Sequence, residues 1–212
     1  MRLLILFIIL LCSCSMNGAI IYLSPSGNDA NGGTFASPKK TLNSAWSIVA
    51  AGDTIYLRGG THAYDVMQYL QSRNGTAGNR INIWGYPGET AIITRSASYH
   101  VVNGVDQDLI YCEGDYLYWK NLEIANFAQL VGETAYPAMR FGFTNNSIFE
   151  NLNYHDNMAG FSIRGASSNN LVYNCDFYNN KDPYSETPYD GADGCQINFC
   201  SGTNNVIRKC RA

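Results

Sequence analysis

Four carboxylates lie close together in one segment of the chain, which favours a cation site. They are Asp182, Glu186, Asp190 and Asp193. Calcium prefers several oxygen ligands from carboxylates, carbonyls and water, and a loop that projects from a rigid scaffold can supply them. A calcium site in this segment, with Asp193, Asp190 and Asp182 among its candidate ligands, is therefore one interpretation. The spacing alone is equally compatible with a solvated acidic loop.

Two arginines indicate an acidic ligand. Arg140 and Arg164 each lie five residues before the first member of an Asn pair, Asn145-Asn146 and Asn169-Asn170. If the two segments are equivalent strands, the arginines stack on the outer face of a sheet, where neighbouring strands are about 4.8 Å apart. Like charges at that distance repel unless an anion lies over them. The commoner alternative is a pair of solvated side chains that splay apart.

A repeated pattern predicts the scaffold that carries these residues. An apolar residue, two polar residues, an apolar, a polar and an apolar residue recur in four copies, which start 30, 23 and 35 residues apart. The copies are 119–124, 149–154, 172–177 and 207–212. A short period that tolerates insertions is typical of a solenoid, and each copy has the alternation of strand, bend and strand. We predict an all-β, right-handed parallel β-helix, with Leu122, Leu152, Cys175 and Cys210 in one interior stack.

Turn and cap signals support this prediction. The Asn pairs precede the copies, and Asn tolerates the left-handed conformation that a sharp corner requires. A propeller or sandwich is the alternative, but hairpin signals such as Asn-Gly are missing around the copies. Ser37 as N-cap and Pro38 at the first helical position predict a short capping helix over Pro38–Val49. The solenoid is expected to start near Thr54.

The two ends of the chain carry further signals. Residues 1–19 have the apolar run of a secretory signal peptide, with Cys14 as a candidate lipid-anchored cysteine and Ala19 as the last residue before an ordinary cleavage site. Residues 20–212 then form one β-helix domain, which we expect to be a monomer. Ala212 completes the fourth copy without a cap, which predicts a C-terminally truncated solenoid. We expect a secreted or cell-surface protein, and a bacterial outer-membrane lipoprotein if Cys14 is acylated.

Composition excludes some classes of partner. The formal net charge is −3 and 15% of the residues are charged, which argues against nucleic-acid binding through a broad basic face. Downstream of Cys14 five cysteines remain, at no metal-ligand or disulfide-framework spacing. Cys175 and Cys210 are expected to pack as small buried hydrophobes, and a disulfide between them is the alternative.

Two stretches resemble the pectate lyases of polysaccharide lyase family 9. The first runs from Tyr22 through Ser37-Pro38 to the segment 52–61, and the second comprises Ala192-Asp193-Gly194, Gly202, Asn205 and 210–212. The resemblance implies a calcium-dependent β-elimination on polygalacturonate or a related polyuronate, with Asp193 as a calcium ligand. It also implies further ligands and a proton-abstracting lysine beyond Ala212, so no catalytic residue is assigned here.

Two other classes of function remain open. A β-helix of this kind can be a non-catalytic carbohydrate-binding or adhesion module. It can also be a glycoside hydrolase, which needs two carboxylates roughly 5 to 9.5 Å apart across a groove. Asp156 and Asp176 are the outward carboxylates on neighbouring copies that this alternative requires. Whether the chain itself is an active enzyme is left open by the sequence.

Overall fold

The computed structural model describes residues 18–102, 107–184 and 194–212, which form a parallel β-helix with one short α-helix. The helix is α1 (Leu42–Trp46). The strands are β1 (Ile20–Leu23), β2 (Thr54–Leu57), β3 (Gly60–Tyr64), β4 (Gln68–Leu70), β5 (Ile81–Gly85), β6 (Ala91–Arg95), β7 (Ile110–Cys112), β8 (Leu117–Ala125), β9 (Pro137–Gly142), β10 (Ile148–His155), β11 (Ala159–Gly165), β12 (Leu171–Tyr173), β13 (Asp176–Tyr178), β14 (Cys195–Cys200) and β15 (Val206–Arg208).

The strands belong to two parallel sheets. Sheet A has the order β1-β2-β5-β8-β10-β12-β15, with β3, β6 and β13 paired alongside this row. Sheet B has the order β4-β7-β9-β11-β14. Because each strand pairs with its counterpart one coil later, the chain winds as a solenoid. The described part of the chain contains no helix that is long and apolar enough to cross a membrane.

The predicted interior stack is confirmed. Leu152 lies opposite Leu122 in the register of β10 and β8, and both side chains are buried. Cys175 is also buried, and the bridge between Asp176 and Arg211 aligns it with Cys210, which is partly buried against the core. The cysteines of the described residues, Cys175 and Cys210 included, are free thiols, so the alternative disulfide is not formed in this structure.

Left-handed residues form the bends and corners, as the sequence predicts. In each repeat the second polar position has a positive φ, between 52° and 56°, at Asn121, Asn151, Asn174 and Lys209. One member of each Asn pair is also left-handed, at Asn146, Asn169 and Asn204. Buried Asn170 ties one corner together: its Oδ1 accepts from the Ser147 N–H, and its Nδ2 donates to the Thr144 carbonyl.

The N-terminal prediction was wrong in two respects. The helix begins after Thr41, whose hydroxyl accepts from the Ser44 N–H, and not after Ser37. Lys39 cannot join the helix because its N–H and carbonyl bond to Tyr22 and Ser24, beside β1. The solenoid also starts earlier than Thr54, because β1 pairs in register with β2. The predicted apolar helix face is buried against the first coils, at Leu42, Ala45, Trp46 and Val49.

Candidate functional site

One register row on the outside of sheet B brings aromatic and cationic side chains together. Tyr69, Tyr111, Arg140 and Ser162 lie opposite one another on successive strands β4, β7, β9 and β11. The residues that flank Arg140 in β9 are fully buried, so side-chain alternation turns Arg140 outward. We call the surface formed by Tyr69, Tyr111, Arg140 and Arg164, together with the buried Ser162 that contacts Arg164, the sheet B face.

The two predicted arginines share this face but are not in register. Arg140 lies opposite Ser162, whereas Arg164 lies opposite Gly142. Residues that lie opposite each other in β9 and β11 are 22 residues apart in the chain, whereas the two arginines are 24 residues apart. The predicted direct stacking was therefore wrong by two positions. They still interact, since burial and then the charge of Arg140 lower the pKa of Arg164. The Nε of Arg164 donates to the Ser162 hydroxyl.

Arg140 has a buried counter-ion that the sequence pattern did not reveal. Its Nη2 lies 2.9 Å from Oδ1 of Asp108, in an ion pair whose atoms are not aligned for a hydrogen bond. Exposed fractions are 15% for the Arg140 side chain and 2% for that of Asp108. Burial raises the pKa of Asp108 to about 7, against the opposing effect of Arg140 and Arg164. Arg164 is therefore the better placed of the two arginines to meet a ligand.

Two tyrosines extend the face away from the arginines. The rings of Tyr69 and Tyr111 are stacked, with centroids 5.3 Å apart and planes inclined by 18°. Tyr69 is 51% exposed. The Tyr111 hydroxyl donates to Oε1 of Glu113 at 2.6 Å, and burial and this bond raise the pKa of Tyr111. Strands β4 and β7 have three residues each, which is too few for residue alternation to identify this pair from the sequence.

The predicted calcium ligands are only partly covered by the structure. Asp190 and Asp193 lie outside the described residues, so their placement stays a prediction. Asp182 is described, and its Oδ2 is buried without a hydrogen-bond partner there. A buried carboxylate oxygen in that state is chemically suited to a cation. Within the three described ranges no group of three His, Cys, Asp or Glu side chains is arranged to hold a metal ion.

A cleft of about 210 Å³ lies beside Asp182, since the residues on either side of it in the chain line the cleft. Its lining includes Asn126, Gln129, Asp156, Asn157, Lys181 and Pro183. Asn157 fixes one wall: its Oδ1 accepts from the Phe127 N–H and its Nδ2 donates to the Ile124 carbonyl. The cleft therefore has a rigid polar wall and an exposed lysine.

The two carboxylates that a hydrolase would need do not face each other. Asp176 lies opposite Asn153 in the register of β13 and β10, and not opposite Asp156. Arg211 binds the Asp176 carboxylate, with its Nε 2.7 Å from Oδ1. Asp156 is held by His155 instead. Each carboxylate is thus engaged in its own ion pair.

His155 forms a second charged cluster, on sheet A. Its Nε2 lies 3.0 Å from Oε1 of Glu123, and its Nδ1 lies 2.7 Å from Oδ2 of Asp156. The Tyr178 ring stacks on the imidazole at 4.7 Å between centroids. Partial burial acts to lower the pKa of His155, but the bonds to Asp156 and Glu123 outweigh it and raise the pKa. No metal-ligand or catalytic-triad spacing in the sequence identifies this histidine.

The sequence matches a known protein family. The model of the Pel9A-like right-handed β-helix region matches residues 21–212. Pectate lyase PEL9 of Emericella nidulans is 31% identical over 195 residues, which cover 91% of this chain and 47% of that protein. Pectate lyase L of Paenibacillus polymyxa is 30% identical, over 94% of this chain and 44% of that protein. The chain spans about half the length of these relatives.

Solved structures agree with the fold. A rhamnogalacturonan lyase superposes with a TM-score of 0.76 at 28% identity, over 92% of this chain and 51% of that one. Pectate lyase Pel9A superposes with a TM-score of 0.72 at 27% identity, over 92% of this chain and 47% of that one. The predicted parallel β-helix is therefore confirmed.

Proposed function

The chain belongs to the family of Pel9A-like right-handed β-helix proteins, and from that premise we propose that it acts on acidic polysaccharides by β-elimination. The observation that carries the proposal is the match over residues 21–212, together with the identity to pectate lyases. The substrate class is polygalacturonate or a related polyuronate. Since the chain spans about half of its curated relatives, the activity is proposed for the whole protein.

We propose Asp193, Asp190 and Asp182 as calcium ligands. Asp182 supports this through its buried, unpaired Oδ2. These residues would hold the ion, and calcium held there would supply charge neutralisation of the uronate carboxylate, which would make the C5 proton more acidic for removal by a base with departure of the C4 oxygen. In the sequence, Asp193 lies two residues before the start of β14, the last described strand of sheet B. The base itself is assigned to no residue of this chain.

The sheet B face is proposed to bind the polysaccharide chain. Arg164 contributes a guanidinium whose Nε is oriented by Ser162, and guanidinium groups pair well with carboxylates. Arg140 is held by Asp108, and the Arg140–Asp108 pair adds net positive charge beneath the substrate when Asp108 is protonated. The carboxylates of bound uronates would offset the repulsion between the two arginines.

A second substrate is favoured by one specific observation. The solved structure with a TM-score of 0.76 is a rhamnogalacturonan lyase. β-Elimination at a uronate is the same chemistry in both polymers. The two candidates therefore differ in which sugars the sheet B face accommodates.

Localisation follows from the sequence and is proposed with the function. A signal peptide over residues 1–19 would deliver the protein outside the cytoplasm, and acylation of Cys14 would tether it to a membrane surface. A polysaccharide substrate is consistent with either form. We propose that the protein acts as a monomer.

Calcium dependence tests the proposed site. The protein is incubated with polygalacturonate or with rhamnogalacturonan, with calcium or with a chelator, and the absorbance of the unsaturated product is followed. Calcium-dependent product that is lost in Asp193→Ala, but kept in the ion-pair variant Asp176→Asn, supports the assignment. Undiminished activity of Asp193→Ala would overturn the metal site. Binding without product would favour the non-catalytic module.

A further inference from the structure

The stacked Tyr69–Tyr111 pair lies in line with the two arginines of the sheet B face. In register order the outward residues are Tyr69, Tyr111, Arg140 and Ser162, with Arg164 displaced by two positions from Arg140. Neighbouring strands are about 4.8 Å apart, which is close to the advance of one sugar along an extended polysaccharide. A chain that lies across the strands can therefore place successive sugars on successive strands.

The tyrosine pair has the chemistry of a sugar-binding surface. One face of a pyranose ring presents C–H groups, and their transfer from water onto an aromatic ring is favourable. Half of Tyr69 remains exposed, and Tyr111 holds its ring parallel to it. The hydroxyl of Tyr111 is fixed by Glu113, so that the ring is already ordered before any ligand arrives.

Glu113 determines the kind of sugar. Its carboxylate lies 2.6 Å from the Tyr111 hydroxyl and carries a negative charge beside the tyrosine pair. A uronate at that position would meet like charge, whereas an uncharged sugar would not. The arginines, one and two strands further on, offer the opposite preference. The end of the face beside Glu113 thus disfavours an anionic sugar, and the end with the arginines favours one.

From this arrangement we propose that Tyr69 and Tyr111 form a remote subsite that stacks an uncharged sugar of an acidic polysaccharide, while the neighbouring arginines bind its uronates. The inference rests on the proposed function, because the same face holds the substrate in both. It goes further by assigning a residue pair that selects polymers with mixed charged and uncharged sugars. Four strand spacings, about 19 Å, separate β4 from β14, so short ligands held near β14 do not reach the pair.

Equilibrium binding tests the subsite independently of turnover. Calorimetry in the presence of a chelator compares oligosaccharides of about three and about eight sugars, either all galacturonate or alternating galacturonate with rhamnose. The wild-type chain is expected to bind the long alternating oligosaccharide most tightly. The double variant Tyr69→Ala/Tyr111→Ala should weaken that binding about tenfold and leave the short ligands unchanged. Glu113→Gln should strengthen binding of the long galacturonate.

Two controls separate stacking from folding. Tyr111→Phe keeps the ring and loses only the bond to Glu113, so it should lose much less affinity than the double variant. Tyr178→Ala removes a comparably exposed, stacked tyrosine from sheet A and should have no effect. The proposal is overturned if long and short oligosaccharides bind equally, or if the double variant weakens both long polymers to the same extent. If the whole protein released no lyase product, the proposed function would be contradicted, but the binding difference between long and short oligosaccharides would still support the subsite.

Discussion

Asp108 and Arg140 form an ion pair at the edge of the sheet B face, with Arg140 Nη2 2.9 Å from Asp108 Oδ1. Both side chains are largely buried, and the Tyr136 ring lies 5.5 Å from the Arg140 guanidinium carbon. The pair therefore holds one arginine in place while Arg164, next to it, stays half-buried. The guanidinium of Arg140 is thus held in position by buried contacts and is not carried on a mobile surface side chain.

Removal of Asp108 alone should destabilise the protein strongly. Asp108→Ala leaves Arg140 buried without a counter-ion, and we expect a loss of about 3 kcal/mol in the free energy of unfolding. The double variant Asp108→Ala/Arg140→Met should lose less than the sum of the losses of Asp108→Ala and Arg140→Met, because neither charge remains. Urea unfolding measures all four proteins. Strictly additive losses would show that the two side chains do not interact.

The inside and outside of the repeat give a second prediction. Leu152→Asp buries an unpaired charge in the interior stack, and we expect a loss of more than about 4 kcal/mol. Asn153→Asp, one residue later on the exposed side, places its carboxylate opposite Glu123 and Asp176, so we expect a loss of no more than about 1 kcal/mol. Thermal melts compare the two. Equal losses would contradict the assignment of Leu152 to the interior and of Asn153 to the exposed side of β10.

Register in sheet A could be predicted from sequence because it depends on local alternation. The four repeats carry the same apolar positions, so Phe149 aligns with Trp119 and with Val172. The helix start could not be predicted, since Ser37-Pro38 is a sound local cap that tertiary pairing of Lys39 overrides. Propensity is weaker than the hydrogen bonds that Lys39 makes beside β1.

The site was less predictable than the fold. Arg140 and Arg164 were recognised, but their two-residue offset depends on a coil length in sheet B that differs from their spacing. Asp108 precedes β7 and shares no pattern with Arg140, so only the folded structure brings them together. The tyrosine pair sits in two short strands of three residues, which have too few positions for a reliable alternation signal.

Asn170 provides a third prediction. Its side chain bonds to Ser147, Thr144 and Asn205 in a buried corner. Asn170→Ala removes these bonds and leaves a backbone N–H and a carbonyl unsatisfied, so we expect a loss of about 2 kcal/mol or more. Asn153→Ala is the matched exposed control. If chemical unfolding gave the same midpoint for both variants, the Asn170 hydrogen bonds in this corner would not contribute to stability.

The His155 cluster predicts a pH dependence. The folded pKa is raised by Asp156 and Glu123, so the stabilisation is complete below the ordinary value near 6.5 and is lost as pH rises through the folded pKa. His155→Gln should therefore lower the Tm more at about pH 5.5 than at about pH 9. His100→Gln, at an exposed histidine, is the control. A larger loss at alkaline pH would reverse the assigned sign.

The identity of the reaction product tests the central claim most directly. Oligosaccharides released from polygalacturonate or rhamnogalacturonan by the whole protein are analysed by mass spectrometry. β-Elimination leaves an unsaturated uronate at the new non-reducing end, so the account predicts products lighter by one water than those of hydrolysis. Saturated products with the full mass of water added would contradict β-elimination and would identify the protein as a hydrolase on the same fold.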